Sequence, residues 1–326
     1  MTSTRLARTT RPASPSHASI LEYAGARIAY KSPQGLMIMG DASKALASRT
    51  ATQFKGRVQL IFTSPPFPLN RKKAYGNLNG EQYVDWLAGF AVKFAEYLTP
   101  NGSIVLELGN SWVPGEPTMS TLGLEALLGF MRTADLNLCQ QFICYNPARL
   151  PSPVQWVNVD RSRVKDAYTH VWWMSPVKKP KADNRAVVTP YSPSMRALLQ
   201  RGDYNAGTRP SEHGIGAKSF LTNNGGAIPP NVLTYSNTHS GDAYQRYCRL
   251  NGIPLHPARM PAGLAEFFIR FLTTEGDLVL DPFAGSNTTG AVAETLKRRW
   301  VSIESNRDYV RGSRSRFTRT RVPKPI

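Results

Sequence analysis

Apolar residues fall into two periodic regions of the chain, separated by an irregular one. Leu36-Met-Ile-Met39 is a continuous apolar run ending at Gly40-Asp41, and Val58 to Phe62 is another, ending at Thr63-Ser-Pro-Pro66. Short apolar runs bounded by turn residues predict strands buried on both faces. Between Glu81 and Leu98, the residues Tyr83, Trp86, Leu87, Phe90, Phe94 and Leu98 recur near helical spacing, predicting a helix that Thr99-Pro-Asn-Gly102 stops. Ile104 to Leu108 reads as the next strand, Ser120 opens a second helix toward Met131, and a strand follows near Leu138 to Tyr145. Residues 150–255 lose this rhythm; they are rich in Pro, Gly, Asn and Arg, with only short apolar runs such as Val171-Trp-Trp-Met174. The rhythm returns in a helix from Ala262 to Leu272, a strand from Asp277 to Leu280, a helix from Asn287 to Leu296 and a strand from Trp300 to Ile303.

Alternating strands and helices predict an α/β fold, a doubly wound, mostly parallel sheet covered on both faces. One sheet is built here from two separated pieces of chain, with the irregular segment inserted between them. No run of about 18 uncharged apolar residues occurs, which argues against a membrane span. Cys139, Cys144 and Cys248 form no C-x-x-C pair, so neither a disulfide framework nor a zinc site is expected, and no metal is assigned. A cytoplasmic protein is the simplest reading.

Charge narrows the partner. The formal net charge is +18. Residues 1–20 hold three basic and no acidic groups, and residues 307–326 hold seven basic groups against Asp308. Residues 170–220 hold eight basic groups against three acidic ones. An excess gathered at both ends and in one middle segment points to a polyanion, and nucleic acid is the commonest one.

Two strand ends carry candidate chemistry. Asp281-Pro-Phe-Ala-Gly-Ser-Asn-Thr-Thr-Gly290 follows a strand and opens a helix, the place where glycine lets backbone approach a ligand. It has neither the three glycines of a dinucleotide fingerprint nor the Gly-Lys-Ser/Thr of a phosphate loop, so neither NAD nor ATP is favoured. Glu304 ends the next strand and suits ribose hydroxyls. At the other strand end, Thr63-Ser-Pro-Pro-Phe67 joins a hydroxyl, two prolines that stiffen the backbone, and an aromatic face. That set offers acceptors for an amino group and a surface for a planar ring.

Together, Ser64-Pro-Pro-Phe67, Phe283-Ala-Gly285 and Glu304 resemble the signature motifs of S-adenosylmethionine-dependent DNA amino-methyltransferases. The catalytic motif precedes the cofactor motif, an order that resembles the circularly permuted beta class of restriction–modification methylases, and the agreement is closest to the N4-cytosine type. It extends through Arg71-Lys-Lys-Ala-Tyr-Gly-Asn77, Leu150-Pro-Ser-Pro153, Arg163-Val-Lys-Asp166, His256-Pro-Ala-Arg259 and Glu266-Phe-Phe-Ile-Arg270, covering roughly residues 35–310. The resemblance implies a Rossmann-like methyltransferase sheet and S-adenosyl-L-methionine as cofactor. Asp41 would contact its adenine and Glu304 its ribose. Asp281, Phe283, Gly285, Ser286, Asn287 and Thr288 would wall the rest of the cofactor site, and His256 with Arg259 would close the pocket. Ser64 and the Pro65 carbonyl would hold the target amino group, followed by Pro66, and Phe67 would stack on the ring. Glu107 stands where the family has an aspartate near the catalytic loop, so its longer arm is a departure. Arg71, Lys72 and Lys73 would grip phosphates.

The chemistry expected is transfer of a methyl group to the exocyclic N4 of a cytosine flipped out of duplex DNA, protecting host DNA from a cognate endonuclease with which no stable complex forms. Alternatives are N6-adenine methylation and a catalytically silent DNA-binding protein on the same fold; protein-glutamine methylation, which typically uses Asn-Pro-Pro-Tyr, is a third. Ring-carbon methylation is disfavoured because no Pro-Cys pair exists. The domain expectation is a flexible basic arm at 1–34, a catalytic half at 35–149, a target-recognition module at 150–255, a cofactor half at 256–310 and a basic tail at 311–326. The chain would work in the cytoplasm of a bacterium or phage host, at the nucleoid through its DNA.

Overall fold

The computed structural model describes residues 26–67, 80–216, 218–236 and 242–317. Strands β1 (Arg27–Lys31) and β2 (Gly35–Met39) form a hairpin, followed by the short helices α1 (Ala42–Ala47) and α2 (Arg49–Thr52) and then β3 (Val58–Thr63). Next come α3 (Glu81–Ala88), α4 (Ala91–Tyr97), β4 (Leu98–Gly109), α5 (Leu122–Thr133), β5 (Asn137–Tyr145) and β6 (Tyr168–Ser175). The middle of the chain adds α6 (Pro193–Arg201), the two-residue strands β7 (Gly207–Thr208) and β8 (Gly214–Ile215), β9 (Val232–Thr234) and α7 (Ala243–Leu250). The last part runs α8 (Ala262–Leu272), β10 (Leu278–Asp281), α9 (Thr288–Thr295), β11 (Arg299–Glu304) and α10 (Arg307–Ser313).

Nine strands form one mixed sheet in the order β1-β2-β11-β10-β3-β4-β6-β5-β9. The run β2-β11-β10-β3-β4 is parallel throughout. The two ends of the chain meet inside it, because β10 lies beside β3. Strand alternation explains why both faces must be covered. Ile38, Ile61, Ile104 and Leu106 face α1, α3, α4 and α5, with Leu46, Leu87, Phe94 and Phe130 in the same cluster. Met37, Leu60, Phe62 and Val105 face the other way onto Leu264, Phe268 and Leu272 of α8 and Ala293 of α9. Among the described residues, no helix is long and apolar enough to cross a membrane.

Five sequence expectations change. The predicted helix from Glu81 to Leu98 is two helices, because the chain breaks at Gly89, whose N–H donates to the Asp85 carbonyl. Glycine is a poor helix interior residue, and here it ends the first helix. The stop expected at Thr99–Gly102 is instead the outer start of β4, entered through a register shift opposite β3. Residues 27–31, assigned to a flexible arm, pair with β2.

The largest correction concerns the insert. Val171-Trp-Trp-Met174 is the centre of β6, fully paired between β4 and β5 and buried. The segment assigned to a separate module thus supplies a core strand, and β9 adds an edge strand beside β5. Residues 311–317, assigned to the basic tail, also join the fold. Residues 314–316 form one 3-10 turn beyond α10, and Phe317 stacks on Trp300 with ring centroids 4.7 Å apart. Such a pair contributes roughly 0.5–1.5 kcal/mol beyond its buried area.

Candidate active site

A cavity of about 250 Å³ opens at the carboxyl ends of β2, β11, β10 and β3. In an open α/β sheet this is where ligands bind, and the sheet changes its winding direction between β10 and β3. The wall begins at Gly40 and Asp41, just past β2. Asp41 is the N-cap of α1; its Oδ1 accepts from Ser43 N at 3.0 Å, Lys44 N at 3.2 Å and Ser43 Oγ at 2.5 Å. Glu304 follows at the end of β11. Its Oε2 accepts from Gly285 N at 2.8 Å and its Oε1 from Asn306 N at 2.7 Å. Burial holds this carboxyl above its ordinary range, while the two amide donors pull it back.

The turn after β10 is held by its own polar groups. Gly285 has φ +50°, and a Cβ there would lie 2.7 Å from His256 Nε2, so only glycine fits both the backbone and the space. Asn287, also left-handed at φ +55°, caps α9 by accepting from Gly290 N at 3.2 Å. Its amide donates to Tyr30 Oη at 3.0 Å and accepts from Ser302 Oγ at 2.7 Å. Asn287 therefore stands behind the wall and does not line the cavity, unlike Asp281, Phe283, Gly285, Ser286 and Thr288. Asp281 is buried and accepts from Thr63 Oγ1 at 2.6 Å and Phe283 N at 3.2 Å. Desolvation pushes its carboxyl up to about 6 against these donors. The Thr63 bond ties the two strand-end turns together across 218 residues of sequence.

Beyond that bond lies Ser64, followed by Pro65, Pro66 and Phe67, all on the cavity wall. The Ser64 hydroxyl hydrogen-bonds the carboxylate of Glu107, a buried residue on β4. Glu107 Oε1 also accepts from Thr169 Oγ1, at 2.9 Å, on neighbouring β6. The longer arm of glutamate thus reaches both hydroxyls. Its carboxyl is raised by burial above the usual range, and the two hydroxyls oppose the shift. Phe67 sits against Gly109, where an added Cβ would come within 3.1 Å of the ring, so the glycine at the end of β4 makes room for the aromatic face.

His256 and Arg259 also line the cavity. The His256 ring meets Tyr309 edge-on at 4.6 Å, and Arg259 NH1 pairs with Asp242 at 3.2 Å. Several contributing residues escaped the sequence reading. Tyr83, Trp86, Met260 and Tyr309 line the cavity. Phe283 packs against Trp86 and Phe90 with centroids 5.5 and 5.2 Å away. Arg316 braces the turn from outside, donating to the Ser286 carbonyl at 2.7 Å while its guanidinium lies over the Tyr244 ring. Thr169, Gly109 and Arg316 carry no local signal, because each acts on a residue distant in sequence. Tyr83 and Trp86 stand in an apolar helix pattern that reads as core. Arg71, Lys72 and Lys73 lie outside the described residues.

The cavity suits a cationic nucleoside ligand. Asp41, Asp281 and Glu304 are its acidic lining, Phe283 and Trp86 offer ring faces, and Arg259 is already paired with Asp242. S-adenosylmethionine, with a sulfonium and an ammonium against one carboxylate, matches that set. Residues 58–315 match the model of a DNA methylase family. The chain is 45% identical over 295 residues to the type II methyltransferase M.PvuII of Proteus hauseri, covering 90% of this chain and 86% of that one. It is 38% identical over 285 residues to M.HpaI of Haemophilus parainfluenzae, covering 86% and 73%. The solved PvuII DNA methyltransferase, described as cytosine-N4-specific, superposes with a TM-score of 0.73 over 92% of each chain. A Thermus thermophilus protein solved in complex with S-adenosyl-L-methionine shares the fold, with a TM-score of 0.52 at 20% identity over 88% of this chain and 95% of that one. The chain belongs to the N6/N4 DNA methylase family, whose members take their methyl group from S-adenosylmethionine.

Proposed function

We propose that this protein methylates the exocyclic N4 of a cytosine in duplex DNA, as the modification half of a restriction–modification pair. The observation that carries the reading is the union of Ser64-Pro-Pro-Phe67 with the acidic, glycine-bearing turn in one cavity, hinged by Thr63 and Asp281. The 45% identity to M.PvuII supports cytosine as the base.

The cofactor supplies an electrophilic methyl on sulfur. The protein's task is to make a delocalised amino nitrogen attack it. The Ser64 hydroxyl and the Pro65 carbonyl accept from the two amino hydrogens, which localises the lone pair and aims it at the cofactor side of the cavity. Phe67 holds the ring by its face and stabilises positive charge building on the nitrogen. As the new N–C bond forms, the methyl's bond to sulfur breaks, its electron pair staying on sulfur as a neutral thioether, and nitrogen must lose one proton. The Ser64 hydroxyl passes it to Glu107, a carboxylate whose raised proton affinity suits it as acceptor. Positioning and electrostatics carry the rest.

DNA reaches the cavity past the segment between β5 and β6. Leu150 and Val164 are 80% and 87% exposed there, among Arg149, Arg161, Arg163 and Lys165. Asn110, just past β4, anchors this segment by donating to Asp166 at 2.8 Å. Apolar side chains held in water beside cations suit a duplex whose base must leave the stack, at a cost of a few kcal/mol that contacts offset. Arg71, Lys72 and Lys73 are assigned to phosphates, each worth about 0.9 in the log–log salt slope. A cognate endonuclease acting on the same site, without a stable complex, completes the proposal.

The test is methyl transfer from labelled S-adenosylmethionine to duplex DNA, followed by nucleoside digestion and mass analysis. N4-methylcytosine is expected. N6-methyladenine would overturn the base, and binding of cofactor and DNA with no transfer to any of several genomic DNAs would favour the silent alternative.

A further inference from the structure

Arg316 is a largely buried cation that the reaction above does not use; its side chain is 15% exposed. Desolvation works against its charge, and Asp242 supports it. A guanidinium cannot shed its proton at neutral pH, so a fold that buries one has to occupy its donors. Here the donors converge on one residue. Nε donates to the Ser286 carbonyl at 2.7 Å and Nη2 to the Ser286 hydroxyl oxygen at 3.3 Å, while the guanidinium carbon lies 4.7 Å from the centre of the Tyr244 ring. Nη2 also stands 3.9 Å from Asp242 Oδ2, the oxygen that accepts from Arg259 at 3.2 Å. Asp242 is itself fixed, because its Oδ1 caps α7 by accepting from Gln245 N at 2.7 Å. Arg316 thus touches one residue of the cavity wall, Ser286, and shares a carboxylate with another, Arg259.

The turn it touches depends on outside support. Gly285 and Asn287, on either side of Ser286, are both left-handed, with φ of +50° and +55°. Such a conformation persists only where its surroundings determine it. Gly285 donates to Glu304 on β11, and Asn287 bonds Tyr30 on β1 and Ser302 on β11. Ser286, between them, is held by Arg316 from the last turn of the described chain. A guanidinium set against Ser286 and Tyr244 is not presented to a phosphate backbone, although its segment reads in sequence as part of a basic tail.

We propose that Arg316 is a positioning residue for the cofactor: it holds the Ser286 turn and, through Asp242, Arg259 in the arrangement that receives S-adenosylmethionine. This rests on the assignment of the cavity to the cofactor. Without the guanidinium the turn is competent for only part of the time, and apparent affinity falls by that fraction.

Calorimetric binding of S-adenosylhomocysteine to the whole protein, without DNA, is compared in the wild type, Arg316→Met, Arg316→Lys and Phe142→Leu. Phe142 packs on Phe268 and is not part of the cavity wall, so its variant loses stability without touching the turn. Arg316→Met should weaken binding about tenfold, and Arg316→Lys, which keeps a charged donor, only about threefold. Phe142→Leu should lower Tm and leave affinity within about twofold. On duplex DNA, Arg316→Met should raise KM for S-adenosylmethionine about tenfold with kcat within about twofold, and leave the salt slope of DNA binding unchanged. Unchanged affinity in Arg316→Met, an equal loss in Phe142→Leu, or a salt slope reduced by about 0.9, the mark of a phosphate contact, would overturn the assignment. If Arg316→Met does not fold, unchanged binding in Arg316→Lys overturns it instead. A wild type that binds no S-adenosylhomocysteine would overturn the cofactor reading, and this inference with it.

Discussion

The two turns that meet at the Thr63–Asp281 bond do neighbouring jobs by different means. The turn after β10 is held by groups within or next to itself: Gly285 bonds Glu304, Asn287 caps the following helix, and Asp281 accepts from the Phe283 amide. The turn after β3 has two prolines, and its one reactive hydroxyl is placed by Glu107 on β4, which Thr169 on β6 holds in turn. Cofactor geometry is thus built largely from the turn's own backbone and the end of neighbouring β11, and target-amine geometry is borrowed from β4 and β6. Damage to the first should appear in cofactor binding, and damage to the second in turnover.

Ser64→Ala apart, Glu107→Gln gives the largest expected effect. It removes the proton acceptor while keeping the shape, and should lower single-turnover methyl transfer about 10³-fold, within the range for a lost general base. Cofactor affinity should stay within about twofold. Because burial raises the Glu107 carboxyl, the wild-type rate should climb with pH through a value above the usual glutamate range, and the variant should lose that climb. Gly285→Ala reverses the pattern. A left-handed alanine pressed 2.7 Å from His256 should cost about 10² in cofactor affinity, read by calorimetry.

Asp281→Asn tests the seam between the turns. The folded carboxyl sits near 6 against an ordinary 3.8, so its favourable contribution is complete below pH 4 and is lost as pH rises through 6. Asparagine keeps an acceptor for Thr63 and Phe283 without the buried charge. The variant should be more stable than the wild type by about 3 kcal/mol above pH 7, with no advantage below pH 4, by denaturant titration. It should also bind S-adenosylmethionine more weakly, having lost a carboxylate facing a cation. Thr169→Val is the mildest. Loss of its hydroxyl raises the Glu107 carboxyl further, so the pH–rate profile should move upward and turnover at pH 7 should fall about tenfold with KM unchanged.

The same division explains what the sequence made legible. The cofactor turn shows in sequence because its Asp281–Phe283 bond and its Asn287 cap span two and three residues, though Thr63, Tyr30 and Glu304 also join it from other strands, and α8 runs from Ala262 to Leu272 as its apolar spacing predicts. Ser64 was readable from its prolines, but Thr169 was not, because its partner lies 62 residues away on another strand. β6 was hidden for a related reason. Its four apolar residues stand among Pro- and Arg-rich neighbours, and only pairing with β4 and β5 makes them a core strand. Asn287 misled in the opposite direction: a motif residue beside a ligand turn, it spends its amide on Tyr30 and Ser302 behind the wall. Arg316 read as part of a basic tail directed at a polyanion, yet Phe317 stacks on Trp300 and the guanidinium donates to Ser286.

One variant separates the two turns most directly. In Ser64→Ala, single-turnover methyl transfer and S-adenosylmethionine affinity are measured on the same preparation. Transfer reduced at least about 10³-fold with affinity within about twofold is the predicted result, since the serine serves the target amine and not the cofactor. Equal losses in transfer and affinity would contradict that division of labour.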